Sequence, residues 1–302
     1  MCCLYGVIDY GKSLTTKQLN KMISILSRAC EVRGDDATGI AYNIPQKLCI
    51  YKRPLPAYKM RFKIPAGVNV VMGHTRMTTQ GDENRNYNNH PFYGRVGNGE
   101  FALAHNGMLY NDTFLRKTEK LPETHIETDS YIAVQLIEQK GSLDALSLKY
   151  MAERLEGSFT ITVLARNNSV FFVKGDNPLC LYHFPKRGLY IYASTEEILK
   201  GALSRMPYKF GRHEKINVFS GDILEISASG RRSKTAFDNS RLFDHYYPYR
   251  FDYLSKNPRR DSEYVRALKY VAVDCGYSSE DVDSFLDQGF TTDDIEELFY
   301  TT

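Results

Sequence analysis

At 302 residues, with 42% hydrophobic and 25% charged side chains, the chain has ordinary globular composition, enough for one large domain or two smaller ones with buried cores. The formal charge of +3 is close to balance and the basic residues are scattered, so nothing in the charge supports a nucleic-acid or membrane-surface partner. No apolar run has the length of a signal h-region or a membrane span, and six widely spread cysteines lack metal or redox spacing; we expect a reduced, cytoplasmic protein without a metal.

Cys2 follows the initiator methionine. Removing Met1 would place a thiol and a free α-amine on one residue, with reference pKa values of about 8.5 and 7.7 to 8.0, so the amine could take the thiol proton near neutral pH. Alone, an early cysteine is more often an accident. The apolar run Leu4 to Tyr10 predicts a strand with Cys2 at its start, and Thr15 or Thr16 predicts the cap of a helix reaching Glu31, with Leu19, Met22, Ile23, Leu26 and Ala29 on one face. Strands are predicted at 38–42, 48–51, 69–73 and 101–104, then helices at 130–139 and 143–155. Strands follow at 158–165, 170–174, 179–183 and 189–193, with a closing strand at 223–226.

The turns carry the chemistry. Arg76, in Gly73-His74-Thr75-Arg76, should emerge after its strand into a turn closed by Gly81, where it can clamp a carboxylate or pair with Asp82 or Glu83. His90, before Pro91, reads as a structural histidine or a site residue. Asn106-Gly107 directly after a strand can aim a side-chain amide and an unhindered N–H at one spot, as an oxyanion hole requires; it is also the commonest hairpin turn. Asp129 opens a helix as its cap, or as a carboxylate that receives an ammonium group. From about Arg231 the composition turns linker-like, with Tyr246, Tyr247 and Tyr249 available to dock. Beyond it, 263–275, 279–288 and 292–300 predict three short helices, the acidic run 293–297 favouring the last one's N-terminus.

In order, these motifs resemble the class II glutamine amidotransferase domain of the N-terminal-nucleophile hydrolases. The resemblance covers roughly residues 2–226 and includes Arg33-Gly34-Asp35-Asp36-Ala37-Thr38-Gly39-Ile40, Gly-His-Thr-Arg, Asn-His-Pro-Phe, His-Asn-Gly, Thr128-Asp129, Leu155-Glu156-Gly157-Ser158-Phe159 and Tyr192-Ala193-Ser194-Thr195-Glu196. It implies an α+β fold, a four-layer αββα sandwich, with a small C-terminal helical tail. It also implies Cys2 as nucleophile with its α-amine as base, and Asn106 with the Gly107 N–H as oxyanion hole. Arg76 would bind the α-carboxylate of L-glutamine and Asp129 its α-amine, with Thr79 and His90 in the substrate pocket and no cofactor.

The expected organisation is an amidotransferase domain at 1–240, a linker at 241–260 and a three-helix tail at 261–302. That tail is too short for an ammonia-consuming synthase, which implies a separate acceptor enzyme docked by the tail; a homo-oligomer stays open. Cys3, Met77 and Gln80 depart from the family pattern, and Cys3 could oxidise with Cys2. Two other readings remain: an N-terminal-cysteine amidase for another amide, and a glutamine-sensing binding module without turnover.

Overall fold

The computed structural model describes residues 2–45, 47–97, 99–242, 263–274 and 276–301. Two compact units, Met1–His245 and Tyr246–Thr302, divide the chain. Two sheets with every pairing antiparallel build the first unit. One runs in spatial order β11 (Glu214–Ile216), β9 (Cys180–Phe184), β10 (Leu189–Ala193), β1 (Cys3–Asp9), β4 (Val70–Arg76), β2 (Ala37–Ile44) and β3 (Lys47–Arg53). The other runs β13 (Arg232–Ala236), β12 (Asp222–Ile226), β8 (Val170–Lys174), β7 (Gly157–Ala165), β6 (Gly99–Leu109) and β5 (Phe92–Val96).

Side-chain alternation along the strands builds the layers. Cys3, Tyr5 and Val7 of β1 face outward onto α1 (Thr16–Cys30) through Leu19, Met22, Ile23 and Leu26, joined by Ile198, Leu199 and Ala202 of α5 (Glu196–Ser204). Leu4 and Ile8, the alternate set, pack with Met72 against Ala102, Ala104, Leu164 and Phe172 of the other sheet. The outer face of that second sheet is covered by α2 (Asp112–Thr118), α3 (Tyr131–Lys140) and α4 (Ala145–Ala152) through Leu115, Ile132, Leu136, Leu148 and Met151. Three apolar interfaces thus separate four layers in the order αββα. With both faces of both sheets covered, their central strands are buried almost throughout, which is why they read as apolar runs without alternation.

Of the two caps the sequence allows, Thr15 is the one used, in a capping box with Gln18. Several expectations are corrected. The strand predicted at 69–73 continues to Arg76, and the one predicted at 101–104 extends to Leu109 because Asn106 and Gly107 pair with Thr160 and Phe159 of β7; Asn106-Gly107 is therefore no hairpin turn. The 223–226 strand does not close its sheet, since β13 pairs outside it over residues that read as linker. The short edge strands β5, β11 and β13 and helices α2 and α5 were not expected.

In the second unit, α6 (Glu263–Asp274), α7 (Ser279–Asp287) and α8 (Thr292–Thr301) bury Val265, Leu268, Ala272, Val282, Ile295 and Phe299 together. Ser278 caps α7, and Asp294 accepts from the Thr291 N–H and hydroxyl at the start of α8. Met1, the 246–249 tyrosines and Cys275 lie outside the described residues. Among the described residues no helix is long and apolar enough to cross a membrane.

Candidate active site

One end of the sandwich collects the chemistry-bearing residues, because antiparallel β1 and β4 place the start of one beside the finish of the other: Cys3 sits opposite Thr75. Cys2, just before β1, is half-buried; its Sγ lies 3.5 Å from the Met77 carbonyl oxygen and its own carbonyl accepts from Arg33 Nε at 3.0 Å. Burial pushes the Cys2 thiol up, and the nearby Arg76 guanidinium pulls only partly against it. The sulfur is therefore mainly a thiol at neutral pH and needs a base to attack.

Arg76 ends β4 with its side chain buried. Its Nη1 donates to Asn89 Oδ1 at 2.7 Å, and its Nη2 to the carbonyls of Gln80 at 2.5 Å and Gly81 at 3.3 Å. Neither Asp82 nor Glu83 pairs with it; Asp82 pairs with Arg85 instead. Among the described residues no carboxylate lies within ion-pair distance of Arg76, so its hydrogen bonds go to neutral oxygens while Asp36, Glu83 and Asp129 act on it from further off. Burial holds its pKa below the usual arginine range. Such a site favours an anion.

Asn106, fully buried in β6, donates from Nδ2 to Ser194 Oγ at 3.3 Å, while its Oδ1 has no partner among the described residues. Ser194 Oγ also accepts from the Leu4 N–H at 2.9 Å, so one hydroxyl joins Asn106 to the strand that carries Cys2. If the amide turns over, Ser194 donates to Oδ1 and the NH2 is left free to donate elsewhere. At Gly107, with φ of +136°, a Cβ would stand 1.9 Å from the Ser158 carbonyl oxygen, so only glycine fits. β5 covers β6 only as far as Leu103, and Leu109 N donates on that uncovered side to Asp129 Oδ2 at 2.6 Å. Two residues earlier along the strand, the Gly107 N–H faces the same open edge.

Asp129 does not cap its helix. Its Oδ2 grips β6, its Oδ1 accepts from Ser130 N at 2.7 Å, and its own N–H donates to Gln80 Oε1 at 2.9 Å. Gln80 thus joins Arg76, through its carbonyl, to Asp129, through its side chain. Thr79 lies exposed on the same loop, outside this network.

Beneath the network sit three buried histidines. His74 Nε2 meets the His105 carbonyl at 2.9 Å, bridging β4 and β6 across the sheets, and His105 Nδ1 meets Ser130 Oγ at 2.8 Å. The His90 ring lies between His74, 4.2 Å away centre to centre, and Phe92 at 4.4 Å; neither of its nitrogens has a partner among the described residues. The sequence allowed a satisfied structural histidine here, and the ring is buried but not satisfied. Burial pushes His74 down to about 3 and His90 well below the usual range, so these rings are neutral at neutral pH.

A glutamine amidotransferase domain profile matches residues 74–201. The glutamine–fructose-6-phosphate aminotransferase (isomerizing) of Staphylococcus aureus is 30% identical over 196 residues, 60% of this chain and 30% of that protein. The amidophosphoribosyltransferase of Methanocaldococcus jannaschii is 27% identical over 239 residues, 75% of this chain and 47% of that protein. The structure of the glutamine phosphoribosylpyrophosphate amidotransferase from B. subtilis, complexed with ADP and GMP, matches 78% of this chain and 49% of its own with a TM-score of 0.60 at 19% identity, and so shares the fold. The chain carries a class II glutamine amidotransferase domain. It spans less than half the length of these relatives.

Sequence reasoning about this amidotransferase domain missed the roles of Ser194, Asn89 and Gln80. Asn89 and Ser194 stand inside the motifs quoted for the family, which was the signal available; what each touches needed the sheets in place. Gln80 was noted only as a departure. Cys3, which the sequence left free to oxidise with Cys2, faces the α1 layer instead, with its sulfur 2.8 Å from Cys30 Sγ.

Proposed function

We propose that the chain hydrolyses L-glutamine with Cys2 as nucleophile and releases ammonia for a separate acceptor. The observation that carries this reading is the buried Arg76 guanidinium, which makes no ion pair among the described residues, linked through Gln80 to Asp129: a cation and an anion spaced by one side chain suit the α-carboxylate and α-ammonium of a free amino acid. With the α-groups held there, the side-chain amide reaches towards Cys2.

Once Met1 is removed, the Cys2 α-amine takes the thiol proton. The thiolate attacks the amide carbon, and the tetrahedral oxyanion receives hydrogen bonds from Asn106 Nδ2 and the Gly107 N–H. The ammonium proton passes to the leaving nitrogen, the C–N bond breaks and ammonia departs. Water, deprotonated by the same amine, then cleaves the γ-glutamyl thioester to glutamate and restores the thiol.

Ammonia then passes to a separate acceptor enzyme, with the helical tail as a docking module. The five cysteines among the described residues are free, which fits the reduced, cytoplasmic compartment expected from the sequence. The test is glutamate release from protein shown by mass spectrometry to lack Met1. Activity should vanish in Cys2→Ala and in Arg76→Ala; a Cys2→Ala variant as active as the wild type overturns the reading. Turnover of an acyl amide with none of glutamine would replace the substrate.

A further inference from the structure

Cys3 and Cys30 form a second thiol centre that the proposed hydrolysis does not use. Their sulfurs lie 2.8 Å apart, inside van der Waals contact, yet both are free thiols with no exposed surface. The pair joins the start of β1 to the last residue of α1. Arg33, three residues beyond Cys30, holds the Cys2 carbonyl, and Thr75 Oγ1 holds the Cys30 carbonyl at 3.1 Å, so one corner of the fold carries the dithiol and positions Cys2. The two sulfurs are also unequal. Burial works against ionising Cys3, but its hydrogen bonds with Cys30 and Ser194 outweigh that and hold the thiol below its ordinary value; burial pushes Cys30 well above it.

We propose that Cys3 and Cys30 are a modification site for hydroperoxides, converted together into a buried disulfide. The Cys3 sulfur attacks the nearer peroxide oxygen and the O–O bond breaks. The leaving oxygen takes the thiol proton and departs as water or an alcohol, leaving a sulfenic acid on Cys3. The Cys30 sulfur attacks that sulfur, the S–O bond breaks, and water leaves with the Cys30 proton. Two thiols lose two electrons in all and one peroxide gains them. Cys180, also buried, has its thiol pushed up to about 11 and makes no bond to another cysteine among the described residues, so it supplies an internal control.

The test uses the full chain as Cys2→Ala, which removes the half-exposed thiol and makes the outcome independent of the glutaminase reading. Hydrogen peroxide treatment followed by non-reducing peptide mapping should give one cross-link, between residues 3 and 30, reversed by dithiothreitol. It should form about tenfold or more faster than Cys180 oxidises. Cys30→Ser should abolish the link. Cys3 and Cys30 both remaining reduced while Cys49 or Cys180 is oxidised, or a cross-link to any other cysteine, overturns the proposal; the map of the parent chain decides this even if the serine variant does not fold.

Discussion

Two ends of the same sandwich treat histidine in opposite ways. At the far end of β1, His183 Nε2 meets the Tyr10 hydroxyl at 2.8 Å, its Nδ1 meets Glu214 Oε1 at 2.7 Å, and its ring stacks on Tyr190 at 4.1 Å. Every polar atom of that ring is used. At the near end, His90 has two unpartnered nitrogens, His74 one, and Asn106 an unpartnered oxygen, all buried. Leaving a buried polar atom unpaired costs about 1 to 3 kcal/mol, so a fold built only for stability would resemble the His183 end throughout. Unpartnered buried atoms also occur in the framework, at Tyr5, Asn43, Thr162 and Tyr192, so it is the gathering of several at one end, and not their presence, that sets the candidate site apart.

Substitutions can break or sharpen that contrast. The largest effect belongs to Cys2→Ala, expected to lower glutamate release by on the order of 10,000-fold or more without altering the melting temperature. Asn106→Ala should follow, lowering kcat by roughly 100- to 1,000-fold if its amide meets the oxyanion; an unchanged kcat would remove Asn106 from the mechanism. Arg76→Lys keeps the charge and loses the fork, and should raise KM for glutamine about 10- to 100-fold with a smaller change in kcat, read from steady-state kinetics.

A pH titration gives a smaller but signed effect. With Met1 left in place, iodoacetamide should alkylate Cys2 with a midpoint above the ordinary thiol value. Arg76→Ala should move that midpoint further up, because it removes a cation that favours the thiolate. A downward move would mean that Arg76 does not act on the sulfur. The smallest effect is expected at the saturated end: Tyr10→Phe should cost about 1 kcal/mol in denaturant melts and leave glutamine turnover unchanged.

Much of the site was legible in the sequence because its residues sit where apolar runs end, and the runs themselves are strands buried on both faces. Thr15 with Gln18 and Ser278 with Asp281 marked helix starts through local chemistry alone. What stayed hidden depends on partners distant in sequence. Asn106-Gly107 has the local preference of a turn, and only pairing with Thr160 and Phe159 keeps it in a strand. β13 has an exposed, charged sequence that carries no core signal, because as an edge strand it needs only a backbone partner. Ser194 is a small polar residue whose value appears only when Leu4, 190 positions away, and Asn106, 88 away, arrive on either side of it.

The bridge from His74 to the His105 carbonyl crosses between sheets that meet mostly through apolar side chains, as does the bond from Asn43 Nδ2 to the Ala165 carbonyl. Within each sheet, backbone ladders fix the spacing of neighbouring strands, but no ladder fixes one sheet against the other. Cys2 and Arg76 lie on the side of one sheet and Asn106 and Gly107 in the other, so their alignment is a tolerance problem across a greasy joint, and this histidine and the Ser194 hydroxyl are two of the pins that hold it. Small slippage at that joint would leave both sheets intact to spectroscopy while the halves of the site no longer met.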